Sequence, residues 1–347
     1  MTADTLNAAS TDSRTDIRVA VAGEALIDLI RREDGSYLPC LGGALYNLSR
    51  ALSRQGVGTQ YLNPLSGDRF GRELAAQLAG DGVQLAVPTP VQAVTSLAVV
   101  NLDAHGHPDY AFYREGVADR AITAQQLDAA CDALPALQVV CSGALALDAR
   151  DTGRYHPWLA SRRAAGQCVV IDANLRPSVM PDLEAYRAAI HAALGHAHVV
   201  KVSDEDLEHL AVPGANPLAR ARHLLSANPG VHLLALTLGA QGAWLLHRQA
   251  GECFAKEAAP LKVVDTVGAG DSFLAGLLAH VLRHAQAAHA SGLPALVAGL
   301  SSQDCQAALR HALASASLCV QEQGCVPPSW EAARDWAGAH RALDSAE

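Results

Sequence analysis

The chain has 347 residues, 50% of them hydrophobic, and a formal net charge of −9. That length allows a large core in one domain or two, and the acidic balance argues against nucleic acid or an anionic membrane surface as a partner. No apolar run reaches the roughly eighteen residues of a membrane-spanning segment.

The first stretch, MTADTLNAASTDSRTD (1–16), is polar and lacks the basic start and apolar run of a secretory signal. It reads as a disordered tail, and a cytoplasmic location is expected. IRVAVAGEALIDLI (17–30) opens on a strand of small and β-branched residues, with Asp28 just past its carboxyl end. GSYLPC (35–40) is a separate β-like piece. ALYNLSRALSRQG (44–56) has helical spacing and a glycine stop, TQYLNPLS follows as a strand, and RFGRELAAQLAGDG as a helix.

From 84 to 114 three β-like pieces follow one another without a helix, with turn signals at Pro88–Pro90 and DAHGHPD (103–109). Strands inserted this way into a βαβ rhythm suit either a lid over an active site or an extra edge hairpin. LQVVCSGALAL, QCVVIDANL, AHVVKVS and VHLLALTLG then alternate with helical stretches. Short apolar runs between helices suit strands buried on both faces of a parallel sheet. AQAAHASGLPALVAGLSSQ (285–303) reads as a surface connection before the last long helix, and 331–347 as a C-terminal tail. The expected fold is α/β: a three-layer α/β/α sandwich over 17–330 with a mostly parallel sheet and a small β lid near 35–40 and 84–114.

The eight cysteines (Cys40, Cys131, Cys141, Cys168, Cys253, Cys305, Cys319, Cys325) form no C-x-x-C pair and read as reduced, mostly buried small hydrophobes. His191, His196 and His198 read as helix-end and loop residues, not a metal site. There is no G-x-x-x-x-G-K-[ST] and no Gly-Lys pair, which argues against a P-loop enzyme. GAGDSF (268–273) lacks the third small residue of the dinucleotide fingerprint and lies too late for a first βα turn.

VVDTVGAGDSFLAGLLAH (263–280) sets a glycine-broken loop ahead of an apolar helix, with Asp271 at the junction. Two readings are open. Asp271 is a helix N-cap, or the backbone of Gly268, Ala269 and Gly270 faces an anion with Asp271 beside it as a base.

Taken in order, GEALID, GGALYN, DANLRP, KVSDED, TLGAQG and DTVGAGDSFLAG resemble the ribokinase-like (PfkB) family of sugar kinases over residues 17–330. GEALID, GGALYN and DANLRP are most similar to fructokinases and 2-keto-3-deoxygluconate kinases, and YAFYREGVADR is also fructokinase-like. The resemblance implies ATP-dependent phosphoryl transfer to a sugar hydroxyl, with fructose to fructose 6-phosphate as the first expectation. Asp271 would take the hydroxyl proton, and the backbone of Gly268, Ala269 and Gly270 would hold the charge on the phosphoryl group. The helix N-terminus is expected to keep Asp271 ionised.

The same resemblance puts the sugar at Asp28, Gly42, Gly43 and Asn47, with Arg114 and Arg176 reaching its hydroxyls or a phosphate. ATP is expected along Lys201, Thr237, Gly239, Gly242 and Gly270. Many members carry N-x-x-E where this chain has Ser203-Asp204-Glu205-Asp206; Asp206 or Glu205 is expected in the Mg2+ network that bridges the ATP phosphates. A monovalent cation such as K+ is expected near Asp265 and Val267, with carbonyls from CVQEQGC (319–325).

The nearest alternative is a 2-keto-3-deoxygluconate kinase, because Arg114 and Arg176 supply positive charge for a carboxylate. A ribokinase or nucleoside kinase is a further one. For stacking on a base, only Tyr110, Phe112 and Tyr113 are at hand, and strand alternation turns Phe112 away from the other two. A sensor of sugars or nucleotides on the same fold is the alternative outside enzymes, but it has no use for a base at Asp271. Exposed lid strands would favour a homodimer.

Overall fold

The computed structural model describes residues 16–32, 34–102, 108–288 and 292–344. The polar stretch 1–15 and the centre of the 103–109 turn lie outside the described residues. Along the chain, β1 (Val19–Val21), β2 (Leu26–Arg31) and β3 (Tyr37–Gly42) precede α1 (Ala44–Arg54), β4 (Thr59–Tyr61), α2 (Arg69–Gly80) and β5 (Gln84–Leu85). Next come β6 (Ser96–Leu102), β7 (Pro108–Tyr113), α3 (Ala124–Asp132), β8 (Val139–Gly143), α4 (Thr152–Ala164) and β9 (Cys168–Asp172). The alternation continues through α5 (Leu183–Leu194), β10 (Val199–Ser203), α6 (Asp204–His209), α7 (Pro217–Ala227) and β11 (Leu233–Thr237). The last third holds β12 (Ala243–His247), β13 (Gly251–Glu257), α8 (Ala269–Ala287), α9 (Leu293–Ala298), α10 (Ser302–Cys319), α11 (Trp330–Ala339) and β14 (Ala342–Leu343).

The main sheet has the order β14-β13-β12-β11-β10-β9-β8-β1-β4-β5. From β11 to β5 every pairing is parallel; β12, β13 and β14 add an antiparallel edge. Strand alternation sends neighbouring side chains into two separate cores. Val169 and Ile171 of β9 join Trp158, Tyr186 and Ile190 on one face, while Cys168 and Val170 join Phe273, Leu277 and Leu309 on the other. Both faces are therefore covered by helices, which is why these strands read as unbroken apolar runs. Among the described residues no helix is long and apolar enough to cross a membrane.

A second sheet, ordered β3-β2-β6-β7, stands apart from the first. Its strands fall where a small β lid was expected, with two changes of membership. The stretch 17–30, expected to open on a single strand, divides into β1 of the main sheet and β2 of the lid, so Asp28 lies within a lid strand. The break is set by tertiary contacts of Gly23. The Gly23 N–H donates to Asn63 Oδ1 at 2.8 Å, its carbonyl accepts from the Tyr61 hydroxyl at 2.6 Å, and a Cβ there would overlap Leu45. The second change is β5, expected in the lid, which pairs with β4 in the main sheet. Two further stretches also differ from expectation. The connection at 285–303 contains α9, and the residues read as a tail form most of α11 and all of β14, which pairs with β13.

Asp68 ties the two sheets together. Its Oδ1 accepts from the Gly71 N–H at 2.7 Å, capping α2, and from the Thr95 hydroxyl at 2.7 Å; its Oδ2 accepts from the Thr95 N–H at 2.8 Å. Burial works against its charge, but these bonds outweigh it and hold the carboxyl below its ordinary range. Asp68→Ala should therefore destabilise the protein by about 1–2 kcal/mol. In urea unfolding this appears as a lower midpoint with an unchanged slope; an unchanged midpoint would show that the cap and the Thr95 anchor contribute nothing.

Candidate active site

In open α/β sheets ligands bind beyond the carboxyl ends of the parallel strands. Here those ends carry Gly143 of β8, Asp172 of β9, Ser203 of β10 and Thr237 of β11, and α8 begins above them. Gly268 is the N-cap of α8, in the left-handed region with φ 77°. A Cβ on Gly268 would collide with Cys325 Sγ, so only glycine lets the loop pack so closely.

Asp271 is thus the third residue of α8, and its carboxylate does not cap the helix. It accepts a hydrogen bond from Asn47 Nδ2 of α1 at 3.0 Å. At 7% exposure it is buried. Burial, and then the neighbouring Asp172 charge, push its carboxyl up from the ordinary 3.8 to about 7 against the pull of Lys201 and Asn47. The helix terminus, expected to help keep it ionised, works against this desolvation.

The anion loop is also redrawn. The Ala269 N–H turns to the Thr266 carbonyl at 3.2 Å. The N–H groups of Gly270 and Asp271, second and third in the helix, have no intrahelical acceptor by geometry and point where an anion would sit. A Cβ on Gly270 would lie 3.1 Å from Lys201 Nζ, so the ammonium lies against the first turn of α8. Lys201 is buried and pairs with Asp172 Oδ1 at 3.1 Å.

The glycine pair meets Asp28 at close range. A Cβ on Gly42 would lie 2.6 Å from Asp28 Oδ2. Gly43, with φ 114°, passes so near the Glu24 carbonyl that a Cβ would lie 2.5 Å from it. Glu24 Oε1 accepts the Ala44 N–H at 2.9 Å, which fixes the start of α1 and hence Asn47. Burial raises the Asp28 carboxyl to about 6, with Arg176 acting in the opposite direction. Arg176 Nη1 is anchored to Asn174 Oδ1 at 2.6 Å, and Asn174 itself adopts φ 34°. Asp28, Gly42, Gly43, Asn47, Arg176 and Asp271 therefore form one connected group.

Arg114, expected to reach sugar hydroxyls or a phosphate, is largely buried. It sits at the root of β7, 6% exposed, donating to the Leu145 carbonyl at 3.2 Å and facing Asp119 and Asp148 at 3.8 and 3.9 Å. With Phe112 and Met180 it lines a cavity of about 420 Å³ under the lid. Tyr113 is 62% exposed and Phe112 half-buried, as strand alternation requires; the side chain of Tyr110 lies outside the described residues.

Thr237, Gly239 and Gly242 form the β11–β12 turn, with φ 54° and 102° at the two glycines. Asp206 Oδ2 accepts the Ser203 N–H at 2.8 Å and its Oδ1 accepts the Leu175 N–H at 2.7 Å, completing the cap of α6. Glu205 is exposed. Both oxygens of Asp206 are committed to the backbone, and the described residues include no cluster of three or more His, Cys, Asp or Glu able to hold a metal. Asp265 Oδ1 accepts the Val267 N–H at 3.0 Å and Oδ2 the Gly324 N–H at 2.9 Å, so the loops at 265–267 and 319–325 do meet.

Sequence reading overlooked Glu24 and Asp172, although both stand inside quoted motifs, GEALID and DANLRP. Their acidity in otherwise apolar strand ends was the available signal.

A model of the pfkB family carbohydrate kinases matches residues 16–332. A fructokinase from Rhizobium leguminosarum bv. trifolii is 34% identical over 265 residues, covering 75% of this chain and 78% of that protein. Fructokinase-1 of Zea mays is 33% identical over 272 residues, 75% of this chain and 82% of that protein. The crystal structure of an ATP-bound fructokinase from Xylella fastidiosa superposes with a TM-score of 0.79 at 26% identity, covering 94% of this chain and 99% of that one. A buried carboxylate at a glycine-lined helix start and these likenesses agree: the chain belongs to the pfkB family of carbohydrate kinases and is a sugar kinase.

Proposed function

We propose that the protein transfers the terminal phosphoryl group of ATP to a hydroxyl of fructose, giving fructose 6-phosphate. The observation that carries this reading is the buried Asp271 carboxylate, fixed by Asn47 beside the free N–H groups of Gly270 and Asp271. Relatives named fructokinase support the choice of sugar, and the ATP-bound fructokinase supports the donor.

Asp28, the Gly42–Gly43 backbone and Asn47 hold the sugar, with Arg176 beside them. The attacking hydroxyl gives its proton to Asp271. The Gly270 and Asp271 N–H groups, together with Lys201, take up charge on the transferring phosphoryl group. Gly268 shapes that turn, and Thr237, Gly239 and Gly242 flank the nucleotide. Mg2+ would be carried on the ATP phosphates, with Asp206 and Glu205 near its water network. The joined loops around Asp265 and Val267 are where a monovalent cation would lie.

A base that ionises near pH 7 sets the sign of the pH dependence. The competent form is deprotonated, so kcat/KM should fall about tenfold per unit as pH drops below about 7 and level off above it. A profile flat down to pH 5 would remove Asp271 as base. Asp271→Asn should lower kcat by about 10²–10⁴-fold with fructose binding largely kept, read as ATP consumption across fructose, 2-keto-3-deoxygluconate, ribose and adenosine. Preference for the keto acid would keep the chemistry and change the sugar; binding without turnover of any of them would point to a sensor. Gly42→Ala should push the Asp28 carboxylate aside and raise KM for the sugar severalfold while leaving KM for ATP unchanged. Equal effects on both constants would show that Asp28 does not face the sugar.

A further inference from the structure

Parallel register places Lys201 of β10 directly opposite Asp172 of β9, so the two side chains share one face of the sheet. Both are buried, at 5% and 3% exposure, and their charged atoms are 3.1 Å apart. No other donor reaches Asp172 Oδ1 among the described residues. The ammonium also lies against Gly270, one residue from Asp271. Three carboxylates act on Lys201: Asp172 on the strand beside it, Asp206 of α6, whose oxygens are held by backbone N–H groups, and Asp271 on the helix above.

We infer that Asp172 is a positioning residue of the reaction: its carboxylate holds the Lys201 ammonium beneath the first turn of α8 and away from Asp271, leaving Asp271 free to accept a proton. The inference rests on Asp271 being the base. A lysine paired directly with Asp271 would stabilise its ionised form and make it a poorer base. With Asp172 as the lysine's partner, Lys201 remains aimed at the anion side of the loop. The Asp172 charge also opposes ionisation of Asp271.

The groups around Asp271 come from every element packed on it. They are Asn47 of α1, Asp172 of β9, Arg176 after β9, Lys201 of β10 and the Cys325 thiol after α10. Of these, Asp172 and Lys201 act on Asp271 with opposite sign, and that supplies a readout which a purely structural role would not produce.

The experiment measures kcat/KM for fructose against pH at saturating ATP, for the wild-type chain, Asp172→Asn, Asp172→Glu and Lys201→Gln. Asp172→Asn should move the acid limb down by about one pH unit and lower the plateau about three- to tenfold, because Lys201 then turns to Asp271. Asp172→Glu, which keeps the charge, should bring the limb back toward wild type. Lys201→Gln should move it upward. Limbs that coincide in all four chains overturn the inference, as does a downward shift in Lys201→Gln; if Asp172→Asn does not fold, Asp172→Ser replaces it, with the same downward shift and lowered plateau expected and an unmoved limb overturning the inference. Asp271→Asn, run alongside, separates the two levels. If it is inactive while the limbs coincide, only the role of Asp172 fails; if it retains full turnover, the assignment of the base fails with it.

Discussion

The burial of Asp271 at the start of α8 constrains most of what surrounds it. Burial and the Asp172 charge raise its carboxyl from 3.8 to about 7 even with Lys201 and Asn47 pulling the other way, so the ionised form depends on those partners as well as on the helix terminus. Asn47 comes from α1 and Lys201 from β10, with Asp172 of β9 setting where the lysine points. Three elements far apart in sequence must therefore sit within a few tenths of an ångström of their places for one carboxylate to work as a base.

Close approach of backbones is how the fold meets that demand. Gly276 lets α8 lie so near α10 that a Cβ would come within 2.5 Å of Ser315 Oγ. Gly43 brings the start of α1 onto the Glu24 carbonyl, and Glu24 then holds the Ala44 N–H. Glu24 is itself buried, and burial raises its carboxyl to about 7. The chain thus tolerates a second costly carboxyl to fix the loop that aims Asn47. Stability is given up around the site, and the two large cores on either side of the sheet compensate for it.

The layered architecture was legible because its cause is legible: strands covered on both faces must be short and apolar along their buried length, as CVVI of β9 and LLAL of β11 are. The lid boundary was not, since AVAGEALIDLI is continuous in character and the change of sheet depends on Gly23 meeting Leu45, a contact distant in sequence. The helix α11 was hidden because its apolar residues are mostly alanines, and it buries only Ala333 fully. In the site, contiguous motifs were readable and partnerships were not. Ser203-Asp204-Glu205-Asp206 shows why: S-x-x-D is also the pattern of a capping box, and the cap is what the backbone N–H of Leu175 and Ser203 select. Asp172 and Lys201 meet only through strand register, which no local pattern carries.

Division of labour between the two sheets follows from these contacts. The groups proposed for phosphoryl transfer stand on the main sheet and α8, where both faces are packed and little can move. Asp28 stands on β2 of the lid, yet its carboxylate lies on Gly42, at the junction of β3 and α1. A sugar held there, as proposed, would touch the small sheet and the main-sheet core at once. Burial of Asp28 raises its carboxyl to about 6 while Arg176 opposes the rise. Arg176 is in turn pinned to Asn174, immediately after the strand that carries Asp172. Recognition on the lid and chemistry on the core are therefore joined through the short segment from Asp172 to Arg176, which is where a change in sugar preference would have to be absorbed without disturbing the base.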